Sequence, residues 1–484
     1  MAVTAPSRSP QEAIAGAVTA VGAPARRLRV ARALERRRDL VVDPLVGAAV
    51  LVVLARPGNA VATALLALTA FVGGALMARE IAPQAALLPL MRHVQRVVGP
   101  LLGVTGLALI ELLTGRPHAG PLDLLAAVGV IACTDSLLAA LFAAPPPGGM
   151  RAAHIGSPAG AARLARALDA GGSAQYRLVG RISCSEQPGL QAAGGIPHLG
   201  PLQRLDRIVV EERIDLLVMG SDAPRLAVFG QMADTCLDLR VRLVELSELF
   251  EELFGHVPTA DINPTWFQFL ACREGRAAVG PAKRTVDLLG AGVGLLLLAP
   301  LLAVLIVAIK SDGAPGLFRQ VRIGEKGRPF ALYKLRTMRI EADATAQWAA
   351  ADDPRITRLG GFLRASHLDE LPQLANVLRG EMSLVGPRPE QPEFVDRLER
   401  TVPFYQRRHL LRPGITGWAQ IRCGYAGSDI GSAWKLCHDL FYAKHRSLGL
   451  DLLILCETFS TLLFEREPVV EPESFALIAP EPGP

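Results

Sequence analysis

Residues 288–309 read LLGAGVGLLLLAPLLAVLIVAI, an unbroken apolar run without a single charge. At about 1.5 Å of rise per residue the run is long enough to cross the hydrocarbon core of a bilayer as one helix. Two features argue against a plain crossing. Pro300 stands mid-run, where it removes a backbone donor and bends or breaks a helix. Both flanks are basic, with Lys283 and Arg284 before the run and Lys310, Arg319 and Arg322 after it. Basic flanks stay on the cytoplasmic side, so the charges suit a helix that breaks at Pro300 and returns to the leaflet it entered. A kinked fifth crossing is the competing reading.

Upstream, the hydropathy is concentrated in residues 39–146, in apolar segments at roughly 40–56, 60–78, 97–114 and 121–145. Each is near the length of a spanning helix. A basic tail, residues 1–38, precedes them, with Arg26, Arg27, Arg29, Arg32, Arg36, Arg37 and Arg38 crowded at its end. It lacks the continuous apolar core of a signal peptide. A basic start and four crossings return the chain to the cytoplasm. Half the residues are hydrophobic and a fifth are charged, at a net charge of +5. That balance fits membrane-embedded parts joined to soluble ones. Seven cysteines without a C-x-x-C spacing suggest neither a disulfide framework nor a zinc site.

Residues 151–270 change character. AAHIGSPAGAARLARAL reads as strand, glycine turn and helix, RLVGRIS and IDLLVMGS as buried strands, and 201–212 and 223–237 as helices between strands. This alternation predicts a parallel, Rossmann-like α/β domain. Gly156 and Gly160 do not complete a dinucleotide fingerprint, so a non-catalytic role is favoured over one binding a regulatory ligand.

Downstream of the apolar run, the stretch RASHLDELPQLANVLRGEMSLVGPRP (364–389) carries the chemistry. Asp369 and Glu370 are adjacent carboxylates in a Leu-rich setting, preceded by RITRLGGFLRAS (355–366), a basic amphipathic helix suited to a membrane interface. Neighbours in a helix point about a quarter-turn apart, so one carboxylate can attack phosphorus while the other holds a metal. Mg²⁺ suits such a site because it needs few protein carboxylates and bridges phosphate oxygens. The plainer reading is an acidic pair favoured by a helix start. Lys334 and Arg336 in YKLRTM, Arg364, Arg388 between two prolines, and Arg408 and Arg412 before PGITGWAQ supply cations in the same domain. Arginine matches phosphate oxygens with two parallel donors. Gly414 and Gly417 mark a tight turn, and His367 is a proton carrier by residue type alone.

These motifs resemble the bacterial sugar transferases, the polyprenyl-phosphate glycosylphosphotransferases. KRTVDLL (283–289), FRQVRIGEKGRPFALYKLRTM (318–338), DPRITRLGGFLRASHLDELPQLANVLRGEMSLVGPRP (353–389), PGITGWAQ (413–420) and DLFYAKHRSLGLDLLIL (439–455) follow the family's order across about 281–465. The resemblance implies a membrane protein of four transmembrane helices, a Rossmann-like domain and a mostly helical monotopic catalytic domain, 281–465, anchored by a re-entrant helix, 285–309. A disordered tail, 466–484, would follow. It implies that Asp369 attacks the sugar-linked phosphorus of a UDP-sugar, releasing UMP, and that undecaprenyl phosphate then takes the phosphosugar, initiating exopolysaccharide or capsule synthesis. Glu370 matches the Mg²⁺-ligand position. Lys334, Arg336, Arg364, Arg388 and Arg408 match phosphate-binding or structural positions. Expected partners are UDP-sugar, undecaprenyl phosphate, membrane lipids, other polysaccharide-assembly proteins and a second copy of the chain, with no nucleic acid. The expected location is the bacterial inner membrane, multi-pass, with the catalytic domain facing the cytoplasm. Ala299 stands where the family often has Ser, and His367 where Ser or Asn is commoner. A different class of function, a degenerate scaffold sensing a ligand through the Rossmann-like domain, is disfavoured by the intact acidic pair.

Overall fold

The computed structural model describes residues 149–170, 176–184, 195–221, 241–259, 279–312, 314–339, 355–423 and 428–463, with isolated positions between them. The basic tail, the four apolar segments of 39–146, the helix expected at 223–237 and the C-terminal tail lie outside the described residues, apart from a few single positions. The chain divides into two compact units, Met1–Phe254 and Gly255–Pro484. The architecture is mixed α/β, with one helix long and apolar enough to cross a membrane among the described residues.

In the first unit, β1 (Met150–Ile155), β2 (Tyr176–Ser183), β3 (His198–Pro201), β4 (Leu216–Met219) and β5 (Arg242–Glu245) form one sheet in the order β3-β2-β1-β4-β5. Every neighbouring pair is parallel. Between them or after them run α1 (Pro158–Ala170), α2 (Leu205–Glu211) and α3 (Leu246–Phe254). The central strands are apolar on both faces because both are covered. Ala153, Ile155, Leu217 and Met219 pack toward α2, while Ala152, Leu216 and Val218 pack toward α1 and α3.

The second unit opens with α4 (Val279–Ile309), a 31-residue helix. It starts before the expected Thr285, and it runs through Pro300 as one helical element. The element does not end at the expected break, and a bend at Pro300 is compatible with that continuity. A proline costs the helix its bond back to the carbonyl four residues earlier, here Leu296, but need not end it. The remaining elements are β6 (Leu317–Ile323), β7 (Pro329–Leu335), α5 (Arg358–Ala365), α6 (Gln373–Arg379), β8 (Ser383–Val385), α7 (Pro392–Thr401), β9 (Gly414–Thr416), α8 (Trp418–Arg422), α9 (Asp429–His445) and α10 (Leu448–Leu463). β6 and β7 form an antiparallel hairpin, and β8 pairs in parallel with β9.

The unit packs along one side of α4 from end to end. Near its start, Lys283 pairs with Asp451 at 2.6 Å, Arg284 donates to the carbonyls of Val377 and Leu378, and buried Asp287 accepts from Ser383 and the Leu384 amide. Ala291 and Leu295 then meet Leu374, Val377 and Met382. Leu302, Leu305 and Ile309 meet Leu335 and Leu363. The opposite side is bare and apolar: Leu289, Val293, Leu296, Leu297, Val304 and Val307 are exposed, Leu296 to 75%. A bare apolar face of this extent marks an interaction surface.

The motif PGITGWAQ also differs from expectation. Its glycines open and follow β9, where that strand runs against the Gly386 backbone, rather than forming a tight turn. A Cβ on Gly414 would fall 2.0 Å from the Gly386 amide nitrogen, and one on Gly417 would fall 2.1 Å from the Gly386 carbonyl oxygen. Glycine is required there because two backbones touch.

Candidate active site

Thr357 caps α5, its hydroxyl accepting from the Gly360 amide at 2.9 Å. The helix stops at Ser366, and His367 follows in the left-handed region at φ 55°. This residue turns the chain into a single tight helical turn, Leu368–Glu370, before Pro372 leads into α6. Gly380, at φ 85°, closes α6 as a left-handed C-terminal cap. The two carboxylates thus sit on a short turn between two helices, and Asp369 is buried.

β7 carries Lys334 to this turn, and the loop after β8 carries Arg388. Both cations reach the same oxygen of Glu370: Lys334 Nζ and Arg388 Nη2 each lie 2.9 Å from Oε1. Glu370 is 11% exposed at its side chain, Lys334 18% and Arg388 41%. Burial alone would raise the Glu370 carboxyl, but the Arg388 and Lys334 charges override it and hold it well below the usual carboxylate range. Asp369 goes the other way. Its burial raises it, with Glu370 adding to the shift and Lys334, His367 and Arg364 opposing it. Burial lowers Lys334, partly offset by Glu370. Adjacent acids pushed in opposite directions are a signature of divided chemical roles.

The other candidate cations separate into distinct settings. Arg364 donates through Nε to Thr337 Oγ1 at 2.9 Å and acts on Asp369 through its charge. Arg336 does not join the cluster. Its guanidinium binds the carbonyls of Pro315, Met338 and Ile309, tying β7 to the end of α4. Arg408 is buried beneath the Arg388 loop. It pairs with Asp439 at 2.9 Å, donates to the Tyr405 hydroxyl and donates to the Arg388 carbonyl. Arg412 pairs with Glu325.

Two further residues position the site. Arg322, read from the sequence only as a basic flank of the apolar run, donates to the Pro389 carbonyl. Asn376, wholly buried in α6, accepts from the Tyr333 amide and donates to the Ala331 carbonyl, registering α6 against the β7 edge beside Lys334. A lone amide inside the apolar run LANVL was the available signal for Asn376, since a buried amide needs partners.

Among the described residues no group of three or more His, Cys, Asp and Glu side chains comes together. Mg²⁺ is compatible with so sparse a donor set, because one or two carboxylates with water and phosphate oxygens satisfy it. Asp369 and Glu370 are the donors at hand.

The sequence model of the bacterial sugar transferase family matches residues 278–465. A UDP-glucose:undecaprenyl-phosphate glucose-1-phosphate transferase of Caulobacter vibrioides is 41% identical over 227 residues, 45% of this chain and 84% of that protein. The exopolysaccharide production protein ExoY of Rhizobium meliloti is 38% identical over 204 residues, 39% of this chain and 88% of that protein. A UDP-N-acetylgalactosamine-undecaprenyl-phosphate N-acetylgalactosaminephosphotransferase of Aeromonas hydrophila is 45% identical over 269 residues, 55% of this chain. The chain spans 61% of that last relative's length. The chain belongs to the bacterial sugar transferase family.

Proposed function

We propose that this chain transfers a sugar-1-phosphate from a UDP-sugar to undecaprenyl phosphate through a covalent phosphosugar on Asp369. The observation that carries the reading is the Asp369–Glu370 turn, with Lys334 and Arg388 converging on Glu370. In the first step an Asp369 carboxylate oxygen bonds to the sugar-linked phosphorus and the phosphoanhydride bond breaks, with UMP leaving. In the second, a phosphate oxygen of undecaprenyl phosphate bonds to the same phosphorus and the Asp369 oxygen departs. The raised Asp369 favours the first step, since a weaker acid is the better nucleophile and the desolvated anion gains by forming an acyl phosphate; in the second step the carboxylate leaves with the charge that Lys334 stabilises. Lys334 and Arg388 stand where they can bind phosphate oxygens. Glu370 would hold Mg²⁺, which would neutralise phosphate charge as it develops.

The bare side of α4 and its packing against one unit at both ends favour a re-entrant membrane helix. Both termini of α4 then lie in the compartment of the active site, the cytoplasm, where UDP-sugars are made. In this reading 39–146 forms four spans, and 151–270 is a Rossmann-like domain, an assignment supported by its sheet order. The product initiates an exopolysaccharide or capsule, and the chain meets other assembly proteins of that route. The test is to incubate membranes carrying the chain with undecaprenyl phosphate, Mg²⁺ and a panel of UDP-sugars, and to measure UMP. Release with one sugar and labelled lipid product are expected; no release with any hexose or N-acetylhexosamine donor would sink the reading.

A further inference from the structure

In DLFYAKHRSLGLDLLIL (439–455), Asp439, Tyr442 and Asp451 converge on the loop that bears Arg388, directly or through the cations they hold. Along that loop, successive carbonyls are captured by charged donors. Val385 O accepts from Lys283 Nζ at 3.0 Å, and the Tyr442 hydroxyl oxygen, whose one proton goes to Asp451, lies 3.2 Å from it. Arg388 O accepts from Arg408 Nη2 at 2.9 Å, and Pro389 O from Arg322 Nη1 at 3.1 Å. Backbone donors secure others: Pro387 O accepts from the Gly414 amide and Glu390 O from the Ile323 amide. Two carboxylates stand behind the cationic donors. Asp439 pairs with Arg408, both nearly inaccessible to solvent. Asp451 pairs with Lys283 and accepts from the Tyr442 hydroxyl, each at 2.6 Å.

A cation buried this deeply stays charged and ordered only with a counter-charge beside it. Without Asp439, Arg408 would lose the partner that aims it at the Arg388 carbonyl. Without Asp451, Lys283 would lose the counter-charge that holds it on Val385, and Tyr442 the acceptor that holds its hydroxyl beside that carbonyl. The Arg388 side chain is itself partly exposed and long, so its aim at Glu370 depends on a fixed backbone beneath it. We propose that Asp439 and Asp451 are positioning residues, acting through Arg408 and through Lys283 with Tyr442 to lock loop 385–390 so that Arg388 meets Glu370. Prolines flanking Arg388 remove local freedom, and the two ion pairs remove the rest. The Asp451 pair also ties the loop to the first turns of α4, so the seating of the membrane helix and the aim of Arg388 share one residue.

This inference rests on the proposed phosphotransfer for its kinetic readout but not for its structural one. In the full-length chain, Asp439→Asn and Asp451→Asn should each lower kcat/KM for UMP release by about 10- to 100-fold, the scale of a misplacement near 1 Å. Arg388→Lys should lose activity too. The combination of Asp439→Asn with Arg388→Lys should lose no more than the worse single change, because both act through one guanidinium. Multiplicative losses would overturn the inference. Amide hydrogen exchange supplies the second readout. At a temperature where the variants remain folded by circular dichroism, Gly386, Arg388 and Glu390 should exchange faster in Asp439→Asn than in the wild type, while α1 of the first unit is unchanged. Unchanged exchange in the loop would overturn the inference even if no donor sugar yields UMP. A wild type that releases no UMP would instead count against the reaction alone.

Discussion

Lys334 and Glu370 lie 36 residues apart in sequence and meet at 2.9 Å, Nζ to Oε1. The contact joins the β6–β7 hairpin to the turn that carries the acidic pair. It gives Glu370 one of two cations, and it leaves Asp369, the next residue, with a charge that burial opposes. Arg388 and Lys334 together on Glu370, against burial on Asp369, make two neighbouring carboxylates unequal. The inequality has consequences for stability, for pH dependence and for which carboxylate can be replaced.

Conservative neutralisation of the two acids should affect folding in opposite directions. Asp369 has a folded pKa above its unfolded one, so ionising it at neutral pH costs folding free energy. Asp369→Asn removes that cost and should hold or raise the melting temperature. Glu370→Gln leaves Lys334 and Arg388 facing a neutral amide. It should destabilise by about 1–3 kcal/mol, less than the ~3–5 typical of a fully buried pair because Arg388 is partly exposed. Asp369→Asn should lose UMP release by about 10³-fold or more, as removal of a covalent nucleophile does, and Glu370→Gln should lose it through the metal and the two cations it no longer holds. Thermal melts beside activity assays decide it: a destabilised Asp369→Asn with an unaffected Glu370→Gln would refute the assignment.

The acid limb of activity should belong to Asp369. In the proposed first step its carboxyl must be ionised to attack, and burial lifts it above the ordinary 3.8. Glu370 stays ionised through the same range, and its contribution to stability is present above its unfolded value of 4.5 and lost as pH falls below that. Lys334 is the leading charge opposing the rise in Asp369. Lys334→Met should therefore move the acid limb of kcat/KM to higher pH, whatever it does to the plateau. A limb that stays put, or moves down, would show that Lys334 does not act on the nucleophile.

Much of this site was legible in the chain because its chemistry is local. Asp369 and Glu370 are adjacent, and the proline-framed Arg388 announces a fixed cation. What could not be read was the destination of the other arginines. Arg336 and Arg408 carry the same charge as Arg388, yet Arg336 donates to main-chain carbonyls, that of Ile309 among them, and Arg408 to Asp439, Tyr405 and the Arg388 carbonyl. Nothing in the neighbouring residues specifies partners that tertiary packing supplies. Pro300 shows the same limit for the fold. Proline forbids one hydrogen bond, but packing of Leu302 and Leu305 on Leu363 keeps the residues beyond it helical. The parallel sheet of the first unit follows the alternation in its sequence more directly, since its strands are apolar on both faces.

The adjacent glycines of α5 should respond oppositely to alanine. A Cβ on Gly360 would lie 2.0 Å from the Thr337 carbonyl oxygen, a collision with backbone that only displacement of α5 relieves. A Cβ on Gly361 meets nothing within 4 Å. Gly361→Ala should stabilise the helix by about 0.5–1 kcal/mol through lost chain entropy in the unfolded state. Gly360→Ala should destabilise by more than about 2 kcal/mol, as overpacking against rigid neighbours does. Displacing α5 also moves Arg364 from Thr337, so Gly360→Ala should lose UMP release as well. Equal melting temperatures for the two variants would contradict the close approach.

Both ends of α4 should be accessible from one side of the membrane. The helix is 31 residues long, about 46 Å at the α-helical rise and enough to span a bilayer. A spanning helix would leave its far half to lipid, and here neither half is free. Lys283, Arg284 and Asp287 bind the unit near the start, and Leu302, Leu305 and Ile309 pack on it near the end. The Ile309 carbonyl is further held by Arg336. Separating these ends across a bilayer would strip an ion pair, several hydrogen bonds and an apolar cluster at once. In a background lacking the native cysteines, Ala282→Cys and Ser311→Cys should both react with an impermeant maleimide in inside-out vesicles, and neither should react in intact cells. Labelling of position 311 from the opposite face to position 282 would establish a crossing and refute the re-entrant helix.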